Sequence, residues 1–313
     1  MAENSKIEWT DHTFNPRIGC QVASPDGCAN CYAADWAKRY GRDFAQRTRT
    51  SDANWKQPLK WNAQAQGRRY RVFCASLADV FDNQAPDEWR ADLFELIRRT
   101  PRLDWLLLTK RIGNAASMLD EAARLAGYPG WDWRLWRHVW IGATVVDQTE
   151  ADRDVPKLLQ VPAEVRFLSI EPMLGPIDLG LMQRAPLWYG DGPGAVERSA
   201  TGRALHWVIC GGESGPKARP MHPDWARSLR DQCEAAGVPF LFKQHGEWLA
   251  TTFCDDEAAM LPIKRTVYVY PDGHFVPLGE PLDFFAGVEE TAWVGKKAAG
   301  RLLDGRTHDG FPR

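Results

Sequence analysis

The sequence predicts an α/β fold, a partial (β/α) barrel of six or seven parallel strands followed by a small C-terminal α+β subdomain. Two observations carry this expectation. Between about residues 70 and 245, short and almost continuously apolar runs alternate with stretches of helical period, as in βα units around a buried parallel sheet. After about residue 250 that alternation gives way to a hairpin pattern. The expected organisation is a barrel body over 1–250, carrying an N-terminal cysteine loop, and a hairpin-and-helix subdomain over 251–313.

The opening strand is expected near Thr13 to Ile18, and Arg71 to Leu77 reads as the next. Trp105–Thr109, Val139–Thr144, Val165–Ile170 and His206–Cys210 follow, with Pro239–Phe242 as a shorter last member. Between strands, Pro86 suits a first helical position, Asp87 and Glu88 suit the positive end of the helix, and Trp89, Leu93, Leu96 and Ile97 share a face that Pro101 terminates. From Pro223, a second such face is formed by Ala226, Leu229, Cys233 and Ala236, with Gly237 available to close the helix. The Gly-, Pro- and Arg-rich stretch over 180–204 breaks the period and is expected to be a loop insertion. Val267–Tyr270, a turn at Asp272-Gly273 and Phe275-Val276 predict the C-terminal hairpin.

Composition narrows the function classes. With 44% hydrophobic and 26% charged residues and no apolar run of about 18 residues, the chain reads as a soluble protein without a membrane partner. Its start, Met1 to Lys6, lacks the basic and apolar segments of a secretory signal, which predicts a cytoplasmic protein with reduced cysteines. A net charge of −2 gives no global attraction to phosphate backbones, so nucleic-acid binding requires a local basic patch. The 15 tryptophans are expected mostly in the core, with a few available as stacking platforms.

Seven cysteines, three clustered and four scattered, argue for a metal site plus buried thiols rather than a disulfide framework. Cys20, Cys28 and Cys31 are separated by gaps of seven and two residues, with Pro25, Asp26 and Gly27 to turn the loop between them. Thiolates suit both zinc and iron. Structural zinc is normally closed by four protein ligands, whereas three thiolates on a four-iron cluster leave one iron open to an outside ligand. A zinc knuckle completed by His12, Cys74 or another distant residue is the alternative, and it would make the protein a non-catalytic module that binds nucleic acid or a partner protein.

The stretch Asn15-Pro16-Arg17-Ile18-Gly19-Cys20, followed by Cys28-Ala29-Asn30-Cys31-Tyr32-Ala33, resembles the cluster loop of the spore photoproduct lyase branch of radical S-adenosylmethionine proteins. Its first gap is seven residues where three is usual in that superfamily, and Asn30 stands where an aromatic residue usually precedes the last cysteine. Lys6–Thr10, Gly211–Gly215 and Gly300–Gly305 extend a second likeness nearly end to end, to the phage-associated gene product 37/gene product 68 family, sometimes described by its three-cysteine motif. The first resemblance implies a radical-SAM-like barrel, a [4Fe-4S] cluster on Cys20, Cys28 and Cys31, and S-adenosylmethionine as cofactor, whereas the second family has no agreed activity to carry over. The reductant would be a protein such as a flavodoxin or ferredoxin, and the lyase branch suggests a nucleobase or nucleic acid as substrate.

In a β/α barrel, working groups gather past the carboxyl ends of the strands. Here those positions hold the cysteine loop, Ser76 with Asp79, Thr109-Lys110-Arg111, Thr144, Glu171, Gly212-Glu213-Ser214 and Lys243-Gln244-His245. On the cofactor reading, Asp79 or Glu171 would hold ribose hydroxyls or an ammonium group, and Gly211, Gly212, Glu213 and Ser214 would let backbone approach the ligand. Lys110, Arg111, Lys217, Arg219 and Lys243 either bind phosphate or form a rim neutralised by Glu171 and Glu213. His245 is either a proton donor or structural, and Trp131–His138 either stacks on single strands or packs on the barrel. Lys296, Lys297 and Arg301 make a basic spot expected to be a solvated helix face.

Overall fold

The computed structural model describes residues 3–181, 205–253, 263–283 and 287–312. Seven strands form the main parallel sheet: β1 (His12–Phe14), β4 (Tyr70–Cys74), β5 (Leu103–Thr109), β6 (Val139–Thr144), β7 (Val165–Ile170), β8 (Trp207–Gly211) and β9 (Phe240–Gln244). They lie side by side in chain order, while β2 (Arg17–Ile18) and β3 (Thr48–Arg49) form a separate antiparallel ribbon. Chain order equal to spatial order, with crossovers between parallel neighbours, is the topology of the partial (β/α) barrel that the sequence predicts.

Two compact units divide the chain. One contains Met1–Thr144 and Asp154–Phe167; the other contains Val145–Arg153, residues 168 to 181 and His206–Arg313. In the first, Leu103, Trp105, Leu106 and Leu107 of β5 are fully buried, as expected of a strand covered on both faces. The helix α4 (Asp87–Arg98) buries Leu93, Phe94, Leu96 and Ile97, and α5 (Ile112–Leu125) buries Ala115, Leu119, Ala122 and Ala123. Each fully buried Leu, Ile or Phe contributes about 1.5–3 kcal/mol. In the second unit, β8 is buried throughout, and α7 (Pro223–Ala235) covers its neighbours with Ala226, Leu229 and Cys233.

Several boundaries differ from the expected ones for identifiable reasons. The opening strand splits in two, because Pro16 has no N–H for the ladder, and the chain then turns so that Arg17 and Ile18 pair with Arg49 and Thr48. The second strand stops at Cys74, since Ala75 takes φ 67° and its N–H donates to Phe14 O at 2.8 Å. Pro86 is the N-cap of α4 and lies just outside it. Gly211, expected in a loop, is the last residue of β8.

The expected hairpin is present as β11 (Thr266–Val269) and β12 (Phe275–Pro277), closed by Tyr270 N donating to His274 O at 2.7 Å. It belongs to a four-stranded antiparallel sheet that also contains β10 (Trp248–Ala250) and β13 (Glu289–Trp293), in the order β10-β13-β11-β12. Lys296 and Lys297 are exposed on the short helix α8 (Lys296–Ala299), the solvated face expected of them. The insertion expected over 180–204 lies almost wholly outside the described residues. Among the described residues no helix is long and apolar enough to cross a membrane.

Tryptophan serves mainly the core: Trp9, Trp61, Trp105, Trp136, Trp207, Trp225, Trp248 and Trp293 are all buried. Trp131 stacks on Trp136 with ring centroids 5.5 Å apart, Trp136 meets Phe94 of α4 edge-on, and Trp131 Nε1 donates to Pro162 O at 2.7 Å. The segment Trp131–His138 is thus held by packing.

Candidate functional site

In the first unit, the cysteine loop leaves the sheet past β1. Its position is fixed by backbone bonds from Gly19 N to Leu77 O (3.0 Å) and from Cys20 N to Phe44 O (2.9 Å). Gly19 is required here: at φ 110°, an added Cβ would lie 2.3 Å from Gln46 O. Asn15 supports the same turn, donating to Ser76 Oγ at 2.9 Å and accepting from Leu77 N at 2.7 Å. Cys31 caps α1 (Tyr32–Arg39) and packs on the cluster of Ile18, Ala33 and Leu77. Cys20, Cys28 and Cys31 are all free and half-buried.

Polar groups past β4 and β5 converge on Cys20. Asp79 is buried, and its carboxylate accepts from Phe81 N (3.0 Å), Thr109 Oγ1 (2.7 Å) and Lys110 N (3.1 Å). Arg111 Nη1 lies 3.6 Å from both Asp79 Oδ2 and Cys20 Sγ, while Nη2 donates to Gln21 O at 2.9 Å. Burial pushes the Cys20 thiol above its ordinary range; Asp79 adds to that push and Arg111 opposes it.

A second group of charges lies beneath the loop. Asp82 is fully buried and accepts from Arg47 Nε at 2.8 Å and Gln84 N at 3.0 Å, with Arg17 Nη1 at 4.0 Å. Burial by itself would raise the Asp82 carboxyl, but the bonds from Arg47 and Gln84 and the charges of Arg17 and Arg47 hold it below the ordinary range. Arg17 also donates to Asp79 O. Sequence reading passed over Arg17, Arg47 and Asp82; the available signal was an arginine inside the Asn15–Cys20 motif and an acidic residue three positions after Asp79.

The donor chemistry of the loop fits a soft metal centre: three free thiols on one turn, with Cys31 at the positive end of a helix and Arg111 against Cys20. Among the described residues, however, no three His, Cys, Asp or Glu side chains converge as metal ligands. A single metal ion would have to draw the sulfurs together, as metal ligation commonly does in a loop of this kind. His12 is stacked on Trp61 (4.4 Å) and edge-on to Tyr70, and Cys74 is fully buried with its thiol pushed far up by burial. Cys233 is likewise buried and pushed up to about 12, and Cys210 is raised too, so these three behave as inert core thiols. Cys254 lies outside the described residues.

In the second unit, the other polar strand ends pair with one another. Glu171 accepts from Ser169 Oγ at 3.1 Å and faces Lys243 Nζ at 2.9 Å. Glu213 is buried and gripped by Arg219 through its backbone N (2.7 Å), Nε (2.9 Å) and Nη2 (2.8 Å). Ser214 Oγ accepts from Gln244 Nε2 at 2.7 Å. Arg219 and Lys243 thus form the neutralised rim that was one of the two expectations. Gly211 lies under Glu171 and Gln244, and Gly212 lies directly against the backbone of His245.

His245 is structural. It is buried edge-on to Phe242 (4.8 Å), with Nε2 at 2.8 Å from Leu302 O. Burial pushes its pKa below the ordinary 6.5, against the opposing bond to Leu302, so the folded ring stays neutral and Nε2 donates. Its contribution to stability is present above the unfolded-state value and is lost as pH falls through the lower folded value. The urea midpoint is therefore expected to fall between about pH 7.5 and about pH 5, and to fall less in His245→Gln. An identical slope in the variant would assign the loss to other groups.

Curated proteins and solved structures give no match to the chain. A family model described as a protein of unknown function, DUF5131, matches residues 4–312, and the chain belongs to that family.

Proposed function

We propose that the protein is a radical S-adenosylmethionine enzyme whose Cys20, Cys28 and Cys31 hold a [4Fe-4S] cluster, acting on a nucleobase or nucleic-acid substrate. The observation that carries this reading is the donor set: three free, half-buried thiols on one loop past the first strand of a parallel βα sheet. Two features support it. His12 and Cys74, two of the candidate fourth ligands of a zinc knuckle, are each engaged in the core. The loop also resembles the cluster loop of the lyase branch of the superfamily.

When bound on Cys20, Cys28 and Cys31, such a cluster would supply one-electron reducing chemistry toward S-adenosylmethionine and, through it, hydrogen abstraction from the substrate. The chain's own residues hold and orient. Gly19 lets the loop pass close to the 44–46 backbone, and Asn15 and the Gly19–Leu77 bond tie the loop to the end of β4. Arg111 lays a positive charge against Cys20. A flavodoxin- or ferredoxin-like donor would supply the electron in the cytoplasm.

Anaerobic reconstitution with iron and sulfide is expected to give visible absorbance that Cys28→Ala abolishes and Cys233→Ala retains. With dithionite and S-adenosylmethionine, 5′-deoxyadenosine should form. A loaded cluster that never yields it would sink the enzymatic reading, and one equivalent of zinc with no visible absorbance would replace the cluster with a structural metal.

A further inference from the structure

We infer that Arg111, held in place by Asp79, is a positioning residue that withdraws electron density from Cys20 and so sets the reduction potential of the metal centre; this deepens, and rests on, the cluster reading. Arg111 follows β5 as the N-cap residue of α5, and its side chain is almost entirely buried. Each of its polar ends is fixed. The backbone N–H donates to Thr109 Oγ1 at 2.8 Å, and that hydroxyl donates in turn to Asp79 Oδ1 at 2.7 Å. The guanidinium is left facing Asp79 Oδ2, Gln21 O and Cys20 Sγ. A side chain held at so many points keeps one geometry toward the sulfur.

Charge around the loop points the same way. Arg17, Arg47 and Arg111 are buried against Asp79 and Asp82, three positive charges to two negative. Arg17 Nη1 and Arg47 Nη2 are buried without a hydrogen-bond partner. A buried excess of positive charge is costly unless an anion accompanies it. Metal-bound thiolate at Cys20 is such an anion, and Arg17 is electrostatically coupled to Cys20. Hydrogen bonds and positive charge at a ligand sulfur favour the more negative, reduced cluster, because they stabilise added electron density.

The test uses full-length protein, reconstituted anaerobically, with Arg111→Met, Arg111→Lys and Asp79→Asn. Arg111→Met is expected to retain the cluster's absorbance but to disfavour its reduced form about tenfold, a shift of ~59 mV to lower potential for a one-electron couple. Arg111→Lys should recover part of that shift. Asp79→Asn removes a negative charge that also acts on Cys20 directly, so its upward shift should be smaller in the Arg111→Met background than in wild type, the difference being the part that passes through Arg111. An unchanged potential in Arg111→Met would overturn the inference, and if Arg111→Met does not fold, a potential in Arg111→Lys no lower than that of wild type overturns it. Should wild type take up no cluster, the cluster reading fails by itself. Cobalt(II) bound by the same cysteines then serves as the probe: loss of Arg111 should move the sulfur-to-cobalt absorption to lower energy, and an unmoved band would overturn the inference.

Discussion

Asp82→Ala is expected to destabilise the protein by about 3–5 kcal/mol, the range for removing one partner of a buried ion pair. Asp82 is fully buried and is approached by Arg47 at 2.8 Å and Arg17 at 4.0 Å. Without it, both guanidinium groups stay buried with their counter-charge gone, and Arg47 also loses the acceptor of its Nε–H. The loss would be read from the urea midpoint at constant m-value. Arg47→Met in the Asp82→Ala background should restore part of the stability, because it removes one of the stranded charges. A loss under about 1 kcal/mol would show that the pair behaves as an exposed one.

Gly212→Ala is expected to cost about 3 kcal/mol, at the upper end of overpacking effects. A Cβ at Gly212 would lie 1.9 Å from His245 O and 2.7 Å from His245 C, both backbone atoms, and no rotamer change can relieve such overlap. Gly211→Ala is the internal comparison. Its nearest neighbour would be Glu171 Oε1 at 3.0 Å, the end of a flexible side chain, and the expected cost is below about 1 kcal/mol. Thermal unfolding of the two variants separates them; equal losses would mean that the β8 and β9 ends are held by something other than this backbone approach.

The second comparison bears on how the Gly211–Gly215 stretch is read. From sequence, a glycine pair after a strand admits both close approach to a ligand and close approach of the chain to itself. At Gly212 the neighbour is the chain itself, the turn from His245 to Gly246. Glu213 likewise suggested an acceptor for an outside group, and it is gripped by Arg219, six residues further along, through three hydrogen bonds. The first outcome depends on contact between the ends of neighbouring strands, and the second on the fold of the connection that follows β8.

The sequence by itself determined a βα body of six or seven parallel strands, the two amphipathic helices α4 and α7, and the hairpin β11–β12, because period and turn chemistry are local properties of a chain. It also marked Cys20, Cys28 and Cys31 as one loop. Only the tertiary structure decided that Arg111 faces Cys20, that Arg17 and Arg47 share Asp82, and that Lys243 and Arg219 are neutralised by Glu171 and Glu213. These partners, the last pair excepted, are separated by 35 to 91 residues, and no spacing rule encodes such a meeting. Which charge meets which is settled where strand ends come together, under the demand that a buried charge find a counter-charge.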